Sequence, residues 1–276
     1  MQFQDIKNGR FYLGDCLEVM KEIPDGVIDM ILCDLPYGTT ACSWDSIIPF
    51  DKLWEQYNRI CKENAAMVFT ASQPFTTALI ASNIDNFKYS WVWEKNNVTG
   101  FMQAKTRPLK THEDVVIFGR FKTAAQYFKG VYNPQSDLKS NGAKKYSNRR
   151  AAEHITGNRK EGEAKESKSG YPKDVIKINI EKGFHPTQKP VELFEYLIKT
   201  YTNKGDLVLD NTAGSGTTAI AAENTGRKWV CIEQDEEYAN KAVERIYNHE
   251  AKPQETTSEV KIESDIPIPE GKEDGN

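Results

Sequence analysis

No stretch of the 276 residues approaches the roughly 18 consecutive apolar positions that a membrane-crossing helix needs, and the polar start Met1-Gln2-Phe3-Gln4-Asp5 lacks a secretory signal pattern. A cytoplasmic protein with no membrane partner is expected. Cysteine is scarce: Cys16, Cys33, Cys42, Cys61 and Cys231 are odd in number and include no Cys-x-x-Cys pair. This argues against a disulfide framework and gives no zinc spacing, so reduced thiols, several of them in the core, are expected. His112, His154 and His249 stand at no ligand spacing either, and ordinary surface or core roles are expected of them, with no metal.

Net charge is also small, at −4, but it is unevenly spread. Residues 121–182 hold fourteen Lys or Arg against seven acids, a net +7. Residues 251–276 hold three lysines against seven acids, a net −4, with few large apolar residues apart from Val260, Ile262, Ile266 and Ile268. That end is expected to be a disordered acidic tail. The hydrophobic content of 38% permits one main domain with a substantial core.

A strand and helix rhythm runs through the rest. A helix over 15–22 stops at the Pro24-Asp25-Gly26 turn and leads to a buried strand over 27–33 that ends at Asp34. Helix 50–61 then precedes strand 66–70, helix 74–82 precedes strand 89–93, and a further strand covers 114–118. Trp91 and Trp93 alternate along their strand, as packing residues do. Residues 124–169 are rich in Ser, Asn, Gly and Lys and read as loop. Order returns with a helix that puts Phe194, Leu197, Ile198 and Tyr201 on one face, then strand 207–209, helix 215–224, strand 228–232 and helix 236–249.

Two short motifs carry the chemistry. In Asp210-Asn211-Thr212-Ala213-Gly214-Ser215-Gly216-Thr217, glycines at a strand-to-helix turn let the backbone approach a ligand, and the next helix presents unpaired amides. Glu233, at the end of the following strand, is placed to accept hydrogen bonds from ribose hydroxyls, with Asp235 as second candidate. An ordinary tight turn is the plainer reading of Gly-x-Gly alone. A nicotinamide dinucleotide is a rival ligand, but Ala219 stands at its third glycine position and the unit comes late in the chain, so S-adenosylmethionine is favoured.

The earlier motif is Asp34-Leu35-Pro36-Tyr37. Its strand delivers a carboxylate to the carboxyl edge of the sheet, where open α/β sheets bind ligands. Pro36 fixes its own φ and biases Leu35 towards extended geometry, aiming the Leu35 carbonyl. Asp34 and that carbonyl could then accept both hydrogens of a base's exocyclic amino group, favouring a pyramidal nitrogen whose lone pair meets a methyl sulfonium, while Tyr37 stacks on the base. The bland alternative is a turn in which Asp34 caps and Tyr37 packs.

With both motifs in place, the chain resembles the β class of amino-methylating DNA methyltransferases, the N-4/N-6 DNA methylases, over about residues 10–248. Further matching segments are Leu13-Gly14-Asp15-Cys16, Trp44-Asp45, Trp93-Glu94-Lys95, His112-Glu113 and Phe184-His185-Pro186-Thr187-Gln188-Lys189-Pro190. The resemblance implies a Rossmann-like S-adenosylmethionine-dependent methyltransferase fold: a mostly parallel twisted α/β sheet with helices on both faces and a circularly permuted motif order. It divides the chain into a catalytic half (1–120), a basic target-recognition insert (121–182, short for such a region), a cofactor half (183–250) and the tail (251–276). It places His185, Thr187 and Lys189 on the cofactor side, Asp15 near the cofactor adenine, and Asp34 near the methionine amino group as well as at the reaction. Ala213, Gly214, Ser215, Gly216, Thr217 and Thr218 complete the expected cofactor loop.

The family usually has proline where Leu35 stands; leucine keeps the backbone carbonyl, so activity is expected to survive with a less rigid loop. Lys144, Lys145, Arg149 and Arg150 are candidate contacts to double-stranded DNA, or else a solvated charged loop. The 38–45 loop is placed to close over a flipped base, with Trp44 either as a contact or as a core anchor. The expected activity is adenine N6-methylation, because the resemblance links aspartate at position 34 with adenine and serine with cytosine. Cytosine N4-methylation and a catalytically silent nucleic-acid-binding module are the alternatives. Methylation of a protein glutamine is disfavoured by Asp34 and by the motif order. A homodimer and a cognate restriction endonuclease are family expectations for partners.

Overall fold

The computed structural model describes residues 2–39, 45–120, 130–136, 139–144, 165–184 and 187–250. Two compact units are present: one comprises the described residues up to Asn133 and from Asp174 onwards, the other lies within 134–173. The expected insert boundaries at 121 and 182 bracket this second unit.

The first unit is built on one nine-stranded sheet. Its strands are β1 (Gln2–Ile6), β2 (Gly9–Leu13), β3 (Ile28–Asp34), β4 (Cys61–Ala71), β5 (Phe87–Thr99), β6 (Lys110–Gly119), β9 (Val175–Lys177), β10 (Leu207–Asp210) and β11 (Lys228–Glu233), in the order β1-β2-β11-β10-β3-β4-β6-β5-β9. The five strands from β2 to β4 are parallel neighbours, β4-β6 and β6-β5 are antiparallel, and β9 adds parallel to β5. In the second unit, β7 (Lys139–Lys144) and β8 (Lys165–Ser169) form an antiparallel pair.

Continuous apolar runs make the central strands, because both faces are covered. Alternation then sorts the side chains. Met30, Leu32 and Val208 enter one core with α4 (Val191–Tyr201), α5 (Thr217–Thr225) and α6 (Glu236–Asn248). Ile31, Cys33, Leu207 and Leu209 enter the opposite core with α1 (Cys16–Glu22), α2 (Phe50–Ile60) and α3 (Phe75–Ser82). Helices thus cover both faces, as the Rossmann-like expectation requires.

Topology fixes where a ligand can sit. From β3 the chain crosses through α2 to β4 on one side; from β10 it crosses through α5 to β11 on the other. Strands β3 and β10 are themselves paired, Val208 with Met30 and Leu209 with Ile31. The gap beyond their carboxyl ends is therefore a topological switch point, the ligand crevice of open α/β sheets.

Candidate functional site

A cavity of about 770 Å³ occupies that crevice, and both sequence motifs line it. Asp34, Leu35, Pro36 and Tyr37 form one part of its wall; Asp210, Ala213, Gly214, Ser215 and Thr217 form another. The two loops are tied directly, since the Thr212 hydroxyl donates to the Asp34 carbonyl at 3.1 Å.

Asp34 is held from three sides. Its Oδ1 accepts from the Tyr37 hydroxyl at 2.7 Å and the Thr70 hydroxyl at 2.5 Å, and its Oδ2 accepts from the Lys189 ammonium at 2.5 Å. Thr70 is Asp34's register partner on β4. A carboxylate offers about four acceptor sites, and three are occupied, so the remaining site lies on Oδ2. Tyr37 stacks against Phe75 with ring centroids 4.9 Å apart, which backs one ring face with protein. Burial, and then the Asp34 charge, raise the Tyr37 phenol well above its ordinary value, so it stays a donor at neutral pH.

Lys189 connects Asp34 to a second pair. Its ammonium lies 3.6 Å from Glu113, which also bonds Lys95 from the neighbouring strand of the hairpin. Burial would lower the Lys189 pKa, but the charges of Asp34 and Glu113 outweigh it and the net shift is upward. Glu113 moves the other way: burial would raise it, and Lys189 and Lys95 together bring it down. The result is a charge-balanced chain Lys95–Glu113–Lys189–Asp34, half-buried apart from the buried Lys189. Glu113, Lys95 and Asn97 also face the cavity.

Towards the glycine loop, Asp15 lines the cavity and at the same time caps α1, accepting from the Leu17 and Glu18 amides at 2.8 and 3.2 Å. Glu233 lines it too, and its two oxygens accept from the Gly214 and Asp235 amides, both within 2.9 Å. Asp210 is 3% exposed and braces the loop through Thr212 N and the Thr218 hydroxyl. Burial pushes its carboxyl up to about 7. Asn211 is on the cavity wall but is itself braced by protein: its Nδ2 is buried, its side chain meets the Cys16 thiol, and its Oδ1 accepts from Tyr57 at 2.7 Å. Thr187 is on the wall as well.

Three expected cofactor residues sit behind the wall rather than on it. Thr218 is buried with its hydroxyl on Asp210. Asp235 caps α6 through Tyr238 N; Gln234 and Tyr238 reach the cavity in its place. Gly216, expected to admit a ligand, instead admits a helix: at φ +73° its absent Cβ would lie 2.9 Å from Ile246 and 3.3 Å from Ala242 of α6. Gly214, at φ +50°, is the one of the two loop glycines that lies on the cavity wall.

Sequence reasoning also missed a clamp. The Asp45 carboxylate accepts from the Gly38 and Thr39 amides at 2.8 and 2.9 Å, joining the two ends of the 38–45 loop. Trp44, His185, Lys145, Arg149 and Arg150 lie outside the described residues, and only the backbone of Lys144 falls within them. Both tryptophans pack as expected; Trp91 also donates to the Tyr201 hydroxyl, and Trp93 also borders the cavity.

Among known proteins, the DNA methylase family matches the chain over residues 28–244. The DNA adenine methyltransferase YhdJ of Escherichia coli (strain K12) is 28% identical over 248 residues, covering 84% of this chain and 81% of its own. Two solved structures share the fold. The PvuII DNA methyltransferase, described as cytosine-N4-specific, superposes with a TM-score of 0.64 at 17% identity, covering 90% of this chain and 89% of that one. The complex of M1.HpyAVI with S-adenosylmethionine gives 0.57 at 24% identity, covering 86% and 99%.

Proposed function

Because the chain belongs to the DNA methylase family, we propose that it transfers a methyl group from S-adenosylmethionine to the exocyclic N6 of an adenine flipped out of duplex DNA. The observation that carries this reading is one cavity lined by both the glycine loop and the Asp34–Tyr37 loop, at the topological switch point. When bound, the cofactor supplies an electrophilic methyl on a sulfonium. The residues present suit it: the Glu233 carboxylate and the cavity-facing Gly214 lie at the nucleotide loop, and Asp34 at the far end.

The chain's own work is orientation. Thr70, Tyr37 and Lys189 fix the Asp34 carboxylate so that the remaining acceptor site on Oδ2 takes one amino hydrogen, and the Leu35 carbonyl takes the other. Drawing both hydrogens into one geometry turns the nitrogen lone pair towards the methyl group. The acceptors are preassembled, so little reorganisation is needed as positive charge develops on the nitrogen.

Adenine is favoured over cytosine by Asp34 itself and by the likeness to an adenine enzyme. Mass spectrometry of digested product DNA should show N6-methyladenine and no N4-methylcytosine. The cytosine product would overturn the base assignment, and neither product would overturn methyl transfer. Asp34→Ala should remain folded and bind DNA while turning over at least ~100-fold more slowly.

A further inference from the structure

The hairpin formed by β5 and β6 closes at the Thr99–Lys110 pair, leaving the segment 100–109 as its tip. This tip extends from the edge that bears the cavity. Ala71 at the end of β4 pairs with Asp114, and Lys110 is four residues further along, roughly 13 Å at strand rise. Asn97 and Thr99, just before the tip, line the cavity, and the Lys110 ammonium bonds Ser72 beside the end of β4.

The tip is ordered yet presents apolar side chains to water. Gly100 turns the chain at φ +90°, and the amides of Gln103, Ala104, Thr106 and Arg107 close on carbonyls within the tip at 2.9–3.2 Å. That bracing holds Phe101 65% exposed and Met102 completely exposed. Large apolar residues fixed outwards on an ordered turn point to a contact surface. Within the tip itself the only charged residues in the sequence are basic, Lys105 and Arg107.

We propose that this tip is a DNA wedge, in which Phe101 and Met102 insert beside the target base pair and fill the stack the flipped base leaves, while Lys105 and Arg107 hold the flanking phosphates. The proposal rests on the methyl-transfer reading above. Apolar wedges between base steps and basic side chains on the flanking backbone are what a protein needs to keep a duplex distorted. Duplex DNA is favoured over a second copy of the chain because the patch is continuous with the cavity mouth and its charge complements phosphate.

The test first maps the methylated site in plasmid DNA from a host lacking amino methylation, then uses a synthetic duplex containing that site. Phe101→Ala/Met102→Ala should lower methylation of the paired duplex at least ~10-fold, and much less when the target base is mismatched and already unstacked. Affinity for S-adenosylmethionine should not change. Lys105→Ala/Arg107→Ala should raise KM for DNA and flatten its salt dependence. Equal losses on paired and mismatched duplexes, activity within twofold of wild type, or conversion of a dimer into a monomer would overturn the wedge. A wild type that transfers no methyl group to plasmid DNA would overturn the methyl-transfer reading, and the wedge with it.

Discussion

At Leu35 a buried side chain does what a proline ring would do through its fixed φ. The residue is 3% exposed and packed into the α1–α2–α3 core, which restrains the carbonyl beside Asp34 by burial worth roughly 1.5–3 kcal/mol. Lys189 is the less forgiving position. Its side chain is 7% exposed and it is the ammonium shared by Asp34 and Glu113, so removing it leaves two carboxylates offset by Lys95 and the more distant Lys110, both on the Glu113 side. Breaking a buried pair by deleting one partner costs about 3–5 kcal/mol. Lys189→Met should therefore lose stability of that order in urea titrations at pH 7.5. The deficit should shrink as pH falls towards 5, because Glu113, which Lys189 and Lys95 hold down against burial, takes up a proton more readily in the folded variant than in the unfolded chain. A deficit independent of pH would show that lost packing, not lost charge, is responsible.

Elements explain what the sequence could and could not disclose. Strands β3, β10 and β11 were legible because burial on both faces leaves uninterrupted apolar runs, and α4 because its apolar face recurs at helical spacing. Edge strands were not: β1 is largely exposed, and β9 has three residues, too few for any period to register. Strands β7 and β8 lie in a stretch that reads as loop, since a ladder of backbone hydrogen bonds needs no apolar alternation. Both site loops were legible as motifs, but Thr70 became visible only through the β3–β4 register, and Glu113 and Lys95 only through the β5–β6 hairpin. The packing constraint on Gly216 was hidden for the same reason, as it comes from α6, distant in sequence. The two glycines should consequently fail differently. Gly216→Val should lower the melting temperature by forcing α6 away, whereas Gly214→Asn, a residue that tolerates positive φ, should keep the fold and weaken S-adenosylmethionine binding measured by calorimetry. Comparable melting temperatures with equally weakened binding would refute this division of labour.

For the whole molecule, the distribution of charge matters more than its total. With +7 in residues 121–182 and −4 in 251–276, the rest of the chain carries −7 and would by itself repel a polyanion. On the function proposed above, long-range attraction to DNA would come largely from the basic stretch. Each phosphate neutralised adds about 0.9 to the slope of log affinity against log salt. Neutralising Lys144, Lys145, Arg149 and Arg150 together should weaken duplex binding at 50 mM salt and flatten that slope by up to about 3–4 if all four meet phosphates. Fluorescence anisotropy with a fixed duplex across a salt series measures both quantities. Removing residues 251–276 should leave methylation almost intact and, by deleting a net −4, strengthen non-specific binding at low salt. A tail deletion that abolished methylation, together with a neutralised basic stretch that bound DNA with the wild-type slope, would assign the electrostatics to the wrong part of the chain.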